Sequence, residues 1–476
     1  MQGFCIIWEI ALHMIDYTSQ HQTQFEEFSN LCQLQLDPTN RWVQLAHLLP
    51  WDRMVGIYQK NFSVDMGAKS VNPRWVIGAF IIKHKLGLSD EEVLQTISEN
   101  PYMQYFLGLA NFNPDPLFSP SLFVQFRKQL GEDTFSEFSQ MLVAMTNPSA
   151  SSDENHPGKD TGEAKAKTKG KLKIDASVAD QYISYPNDLA LVNEARVKTE
   201  TMIDLLYEQL RDSWPVKPRT YRKVAHRRYL SQAKKKKHDI ASLRKTLRYL
   251  LNCVERNLSH IDAMLDDIAT DRFPLAHKYQ RQLWVIHTLY DQQRSMYDQR
   301  SNQCPDRIVS ISQPHVRPMV RGKPGKPVEF GAKLGLSLFD GYLTHQTLSW
   351  DAYNEAGDLQ AQAETYRLLT GHYPSLIQCD KIYHTNENRS WCREQGIRLT
   401  AESKGPKKKK TAYQKRKERL EYAERNHIEG RIGNAKQALT LDQIKAKLRD
   451  TSETWIAATL FVLNLATFAA YAGVTF

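Results

Sequence analysis

The stretch YAERNHIEGRIGNAK, residues 422–436, decides how the chain is read. Its polar positions Tyr422, Arg425, Glu429 and Lys436 follow the spacing Y-x2-R-x3-E-x6-K. At about 100° per residue these four fall within roughly 60° of one another on a helix. A phenol, a guanidinium, a carboxylate and an ammonium thus share one stripe nearly four turns long. Residues 414–424 are almost all Lys, Arg, Glu, Leu and Ala, which favours a helix there. Gly430 and Gly433 weaken it beyond Glu429, so the stripe's reach to Lys436 rests on the least helical part. A solvated amphipathic face explains such a stripe taken alone. The segments upstream give it a second reading.

Working backwards, residues 407–410 are a run of four lysines. IRLTAES before it is strand-like, NENRSWCREQG helical, and SLIQCD a short apolar strand that delivers Asp380 at its C-terminal end. LQAQAETYRLLTG reads as a helix stopped by Gly371. EFGAKLGLSLFDGYLTHQTLSW alternates as a hairpin turning at Asp340-Gly341. A turn-rich basic stretch precedes it, with Arg317, Arg321, Lys323 and Lys326, and RIVSIS (307–312) reads as a further strand. Residues 188–300 carry helical periodicity throughout. Within them Lys217 to Arg248 holds thirteen Lys and Arg against the single acid Asp239, with Tyr221 and Tyr229 interleaved. A solvated hairpin explains so one-sided a charge poorly; binding of a phosphate backbone through residues such as Arg222, Lys223, Arg227, Arg228, Lys234 and Lys235 explains it better. Before this block LKIDASVAD forms a short strand that carries Asp175, a position a turn residue could also hold. The order is strand, helical block, three strands, then alternating helices and strands: an α/β layer with a large helical insertion after its first strand. In open α/β sheets ligands gather at strand carboxyl ends, where Asp380 is expected.

Residues 147–171 lack large apolar side chains and read as a flexible linker. The preceding residues 15–146 read as an all-α module with capped turns, suited to DNA binding by a helix-turn-helix or to oligomerisation. Residues 172–476 form the second domain, with 188–303 as its insertion. The chain of 476 residues carries a net charge of +10, which favours a polyanionic partner. Six scattered cysteines without a C-x2-C pair suggest a reducing interior. The run FCIIWEIALHMI contains Glu9 and makes a poor signal peptide; Met14 is an alternative start. The apolar run 455–476 approaches spanning length, but Asn464 and several threonines favour a buried packing helix, hence no membrane and a cytoplasmic protein.

Three carboxylates at such places suit a hard cation: Mg²⁺ or Mn²⁺ takes oxygen ligands, and two ions can clamp an in-line phosphoryl displacement. With Y-x2-R-x3-E-x6-K and the Asp of CDKIYHTNEN, the chain resembles the DDE transposases of bacterial insertion sequences, in the group with an RNase H-like core. IDASVADQYISYPNDLALVNEAR and FSPSLFVQFRKQLG are similar to that family's openings and N-terminal helical domain, and the resemblance covers about residues 15–465. It implies that Asp175, Asp380 and Glu429 are the catalytic metal ligands, with Mg²⁺ or Mn²⁺ as two ions. It also implies that Tyr422, Arg425 and Lys436 handle the phosphate backbone at the cut end. The implied activity is cleavage of double-stranded DNA at element ends, then attack of the freed 3′-hydroxyl on target DNA, by a homodimer or higher assembly. TAESKGPKKKK departs from the family's usual residues in a loop. A non-catalytic, domesticated DNA-binding protein and a nuclease without strand transfer remain the alternatives.

Overall fold

The computed structural model describes residues 36–61, 70–146, 168–237, 239–268, 272–323, 326–400 and 411–476. The run at 4–15, most of the linker and the lysines at 407–410 lie outside them. The chain divides into two compact units, one of Met1–Asp180 with Lys333–Phe476, the other of Gln181–Ala332.

In the first unit the N-terminal helices begin and end where their caps dictate. Asn40 caps α1 (Arg41–Leu48), and Pro50 precedes α2 (Trp51–Gln59). Asn72 and Pro73 open α3 (Pro73–Leu86), which stops at Gly87 in the left-handed region (φ 67°). A Ser89/Glu92 capping box opens α4 (Asp90–Glu99), and α5 (Pro101–Phe106) follows. α6 (Leu122–Thr146) is two helices meeting at Gly131.

The same unit holds most of a mixed sheet. β1 (Lys171–Asp180) pairs in parallel with β5 (Leu376–Gln378), which pairs in parallel with β6 (Arg398–Thr400). On its other side β1 neighbours β3 (Lys326–Phe339), whose second half pairs antiparallel with β4 (Tyr342–Ser349). The β3–β4 turn is the expected Asp340-Gly341, with both residues at positive φ (46° and 77°). The order across the sheet is β4-β3-β1-β5-β6. α11 (Asp358–Thr370) and α12 (Asn386–Glu394) make the crossovers, and α13 (Ala412–Ala438) and α14 (Arg449–Tyr471) close the chain.

α14 is the apolar run near the C-terminus, and it is buried against α6, α3 and β4. The Lys83 ammonium (4.8 Å) and the Arg127 guanidinium (5.3 Å) both lie near its Trp455 ring, and both are paired to Asp90. Burial pushes Lys83 down to about 8, and Asp90 offsets part of that. Asn464, fully buried, accepts from the Leu343 N–H (2.8 Å) and donates to the Leu343 carbonyl (2.9 Å). It thereby satisfies the outward edge of β4, as a covered sheet edge requires. Asn464→Leu would leave both backbone groups buried and unpaired. It is expected to cost about 2–4 kcal/mol in a denaturant titration.

The second unit is a helical bundle of α7 (Asp188–Gln209), α8 (Arg222–Ala233), α9 (Ile240–Asp267) and α10 (His277–Gln299), followed by β2 (Pro318–Lys323) paired with the start of β3. RIVSIS corrects the sequence reading, because it is not a strand. Its Ile308 and Ile311 pack into the bundle's apolar cluster with Leu283 and Ile286. The extra strand is instead β2, within the basic stretch read as turns. There prolines and glycines masked the alternation.

Candidate active site

β1 is a central strand with Leu172, Ile174, Ala176 and Val178 buried, so Asp175 sits mid-strand rather than at a turn. One Asp175 carboxylate oxygen accepts the Ala176 N–H at 2.9 Å. Desolvation pushes Asp175 up to about 6; the Ala176 N–H opposes this, Asp380 and Glu429 reinforce it, and Arg425 opposes it. β5 is wholly buried and ends just before Asp380, whose carboxylate is more than half exposed. Sheet geometry thus sets two acids on adjacent parallel strands.

The third acid comes on α13, which runs unbroken from a Thr411/Gln414 capping box through Gly430 and Gly433 to Ala438. A Cβ at either glycine would meet nothing within 4 Å. Apolar anchoring at Ile428, Ile432 and Ala435 carries the helix through the weak stretch. A brace fixes the helix across the strands. Lys171 Nζ binds Glu424 at 2.9 Å, Arg398 binds Glu421 at 2.5 Å, and Gln378 Nε2 donates to the Glu421 carbonyl at 2.9 Å. These brace residues escaped the sequence reading, since Glu421 and Glu424 look like ordinary helix-favouring acids.

Arg425 is the centre of the site. Its side chain is 9 % exposed; Nη1 lies 2.8 Å from Asp380 Oδ1 and Nη2 3.0 Å from Glu429 Oε1. Its guanidinium also sits 5.3 Å from the centroid of the exposed Tyr422 ring. Burial alone would lower Arg425; the charge of Asp380, a hydrogen bond it donates to the Tyr422 hydroxyl and the charges of Asp175 and Glu429 raise it on balance. The fold therefore brings Tyr422, Arg425 and Glu429 together with Asp175 and Asp380. Lys436 follows seven residues after Glu429, about 10 Å along the axis, and is half-buried. Tyr383, also missed from sequence, buries its phenol with the hydroxyl unpaired, and burial pushes its pKa up, Glu355 and Asp175 adding to that.

Among the described residues no three His, Cys, Asp or Glu side chains gather closely enough to hold an ion together. The Arg425 side chain stands between Asp380 and Glu429 and supplies the positive charge there. The donor set nonetheless fits a hard divalent cation in kind. It offers three carboxylates, two of them exposed, and the third so desolvated that a nearby cation would favour its ionisation.

In the second unit the basic residues separate into two sets. Arg222 is held by both oxygens of Asp204 (2.6 and 2.9 Å), which also takes Lys217 at 2.7 Å, and Arg228 stacks 4.0 Å from the Tyr249 ring. Lys223, Arg227, Lys234 and Lys235 are exposed, and no ion pair joins them to the described residues. α8 buries only Ala225 and Gln232, so it is polar nearly all round.

Acids set on two neighbouring strands and a facing helix around a guanidinium define a site suited to phosphoryl chemistry. Comparison with known families agrees. The family described as Transposase DDE domain matches residues 377–466, which include Asp380, Arg425, Glu429 and most of α14. The family described as Transposase domain (DUF772) matches residues 31–129, the N-terminal helices. These two matches support a DDE transposase of insertion sequences. Asp175 lies outside both. An uncharacterized protein of Rhizobium meliloti, ORF8 in the nfe locus, is 27% identical over 160 residues, 34% of this chain and 71% of that protein. No solved structure matches.

Proposed function

We propose that this transposase cuts double-stranded DNA at the ends of its insertion sequence and joins the freed 3′-hydroxyl to target DNA, using Mg²⁺ or Mn²⁺. The observation that carries the reading is the Arg425 guanidinium paired to both Asp380 and Glu429, with the buried Asp175 within reach of all three charges. The strand order β4-β3-β1-β5-β6, interrupted after β1 by the helical bundle, is consistent with an RNase H-like core carrying an insertion. In this reading residues 15–146, 147–171 and 172–476 are the helical domain, linker and catalytic domain.

Asp175, Asp380 and Glu429 would hold the cations, two in number, which when bound clamp the attacking and leaving oxygens of an in-line displacement. Arg425, pre-placed by its carboxylate partners, offers two N–H donors to a phosphate beside the cut bond. Tyr422 presents an exposed hydroxyl next to it, and Lys436 adds a point charge further along the helix. The exposed face of α4 carries Glu91, Glu92 and Glu99 and no basic residue, which disfavours its entry into a groove. Oligomerisation suits that module better. A homodimer or higher assembly acting in the cytoplasm completes the proposal.

The test is a supercoiled plasmid bearing the inverted repeats that flank the gene, incubated with protein and Mg²⁺. Cleavage at the repeat ends with joined products is expected. Cleavage without joining would leave a nuclease, and binding alone a non-catalytic DNA-binding protein. The basic block has its own expected result. Neutralising Lys223, Arg227, Lys234 and Lys235 together is expected to flatten the slope of log K on log salt by up to about 3.6, at about 0.9 per phosphate contact. Arg222→Gln, which breaks the bond to Asp204, should lower Tm with little change in slope. An unchanged slope in the fourfold variant would return the block to a solvated hairpin.

A further inference from the structure

The first third of α13 lies on the surface: every residue from Ala412 to Leu420 is exposed, Tyr413 at 74% and Leu420 at 63%. Lys415, Arg416, Lys417 and Arg419 lie in it. No ion pair joins any of the four to the described residues, and Glu418 is the single acid of the segment. This placement runs against local helix energetics. Cations near a helix N-terminus oppose the macrodipole, and a short helix without tertiary contacts is marginal in water. The capping box at Thr411 and Gln414 holds the end, but explains nothing about the charge. Glu421 and Glu424, the next acids along, are already committed to Arg398 and Lys171.

Helical phase selects two of the four cations. Lys415 and Arg419 fall within about 60° of Tyr422 around the axis, whereas Arg416 and Lys417 point elsewhere. They lie about 21 and 15 Å before Glu429 at 1.5 Å per residue. Lys415, Arg419, Tyr422 and Arg425 thus form a band that spans about 120° around the axis and leads along it to the acids. We propose that Lys415 and Arg419 are a phosphate rail, which grips the DNA backbone about four to six base pairs from the cut bond, at 3.4 Å per pair. The proposal rests on the DNA-cutting reading above and adds to it a contact surface outside the motif. The occupant it commits to is duplex DNA, because the band is cationic, recurs every three to four residues and leads into the proposed cutting site. Such contacts fix register on the duplex and read no sequence.

The experiment uses the full chain and a fluorescent duplex carrying the inverted-repeat end beside its gene, titrated by anisotropy between about 50 and 200 mM salt. K415Q/R419Q is expected to bind with a slope of log K on log salt shallower by about 1.8, two contacts at about 0.9 each. Its helix content and Tm should match wild type, since both side chains are exposed. K415R/R419K, which keeps both charges, is expected to retain the wild-type slope; if it loses the slope too, the effect comes from shape rather than charge and the rail is overturned. An unchanged slope in K415Q/R419Q overturns the rail alone. A wild-type protein with no salt-dependent DNA binding overturns both the rail and the DNA-cutting reading.

Discussion

Asp380→Asn and Glu429→Gln are each expected to slow strand cleavage at the element end by more than about a thousand-fold with Mg²⁺, while DNA binding survives. The amides keep the shape of the acids and remove the charge that would hold a cation. Losing roughly 4 kcal/mol of transition-state stabilisation corresponds to that factor. Both side chains are more than half exposed and make no contact with the core that an amide could not replace, so the fold should persist. Asp175→Asn should fail equally in cleavage, yet show an additional effect on the metal-free protein. Its carboxyl is pushed from 3.8 up to about 6, first by burial and further by Asp380 and Glu429. A raised folded-state pKa on an acid means that ionisation disfavours folding. The penalty is absent below pH 3.8, grows between about 4 and 6 and is complete above 6. Asp175→Asn should therefore raise Tm at pH 8, by a free energy on the order of 2 kcal/mol, and leave it unchanged near pH 4. A variant at any of the three positions that cuts at near wild-type rate removes that residue from the site.

The sequence marks the candidate residues more clearly than the way the fold places them. Asp380 was legible because an apolar run of β-type residues ending in an acid is a strand-end signature, and β5 is buried throughout. Asp175 was legible as a candidate only, since LKIDASVAD alternates weakly and could end in a turn. The structure makes it a central strand with neighbours on both sides. The helix bearing Glu429 was legible up to the glycines, whose local cost tertiary anchoring at Ile428 and Ile432 overrides. What no local pattern could give is the Glu424–Lys171 pair, which joins residues 253 apart in the chain. The same holds for Asn464 at the edge of β4, 121 residues from its partner. Long-range pairings leave no periodicity, and an acid that braces a helix looks like one that solvates it. RIVSIS shows the converse: three branched apolar residues in six suggest a strand, yet Ile308 and Ile311 pack into the apolar cluster of the helical bundle.

Arg425→Ala and Glu429→Ala are expected to move two different titrations, although the residues bond to each other at 3.0 Å. An i, i+4 pair whose acid is 54% exposed contributes only about 0.3–0.5 kcal/mol, so it cannot by itself explain a large effect of either variant. Arg425→Ala should weaken binding of the element end by about 1.5–3 kcal/mol, the range for a lost charge-assisted contact. That is roughly ten- to hundred-fold in Kd. The Mg²⁺ concentration for half-maximal cleavage should stay near the wild-type value. Glu429→Ala should instead raise that concentration or eliminate cleavage, with partial rescue by Mn²⁺, while end binding changes little. The metal-free proteins supply an independent check. Arg425 holds Asp175 below the value burial and its acidic neighbours would otherwise give. Removing it raises that carboxyl further and destabilises the fold above about pH 6, an effect lost on acidification and reversed by added Mg²⁺. Glu429→Ala removes one of the charges that raise Asp175, so its stability should shift in the opposite direction over the same pH range. If both variants instead lost Tm together, with end binding and metal requirement moving in parallel, Arg425 and Glu429 would be a salt bridge that supports the helix. Their separate assignments to DNA and to metal would then fall.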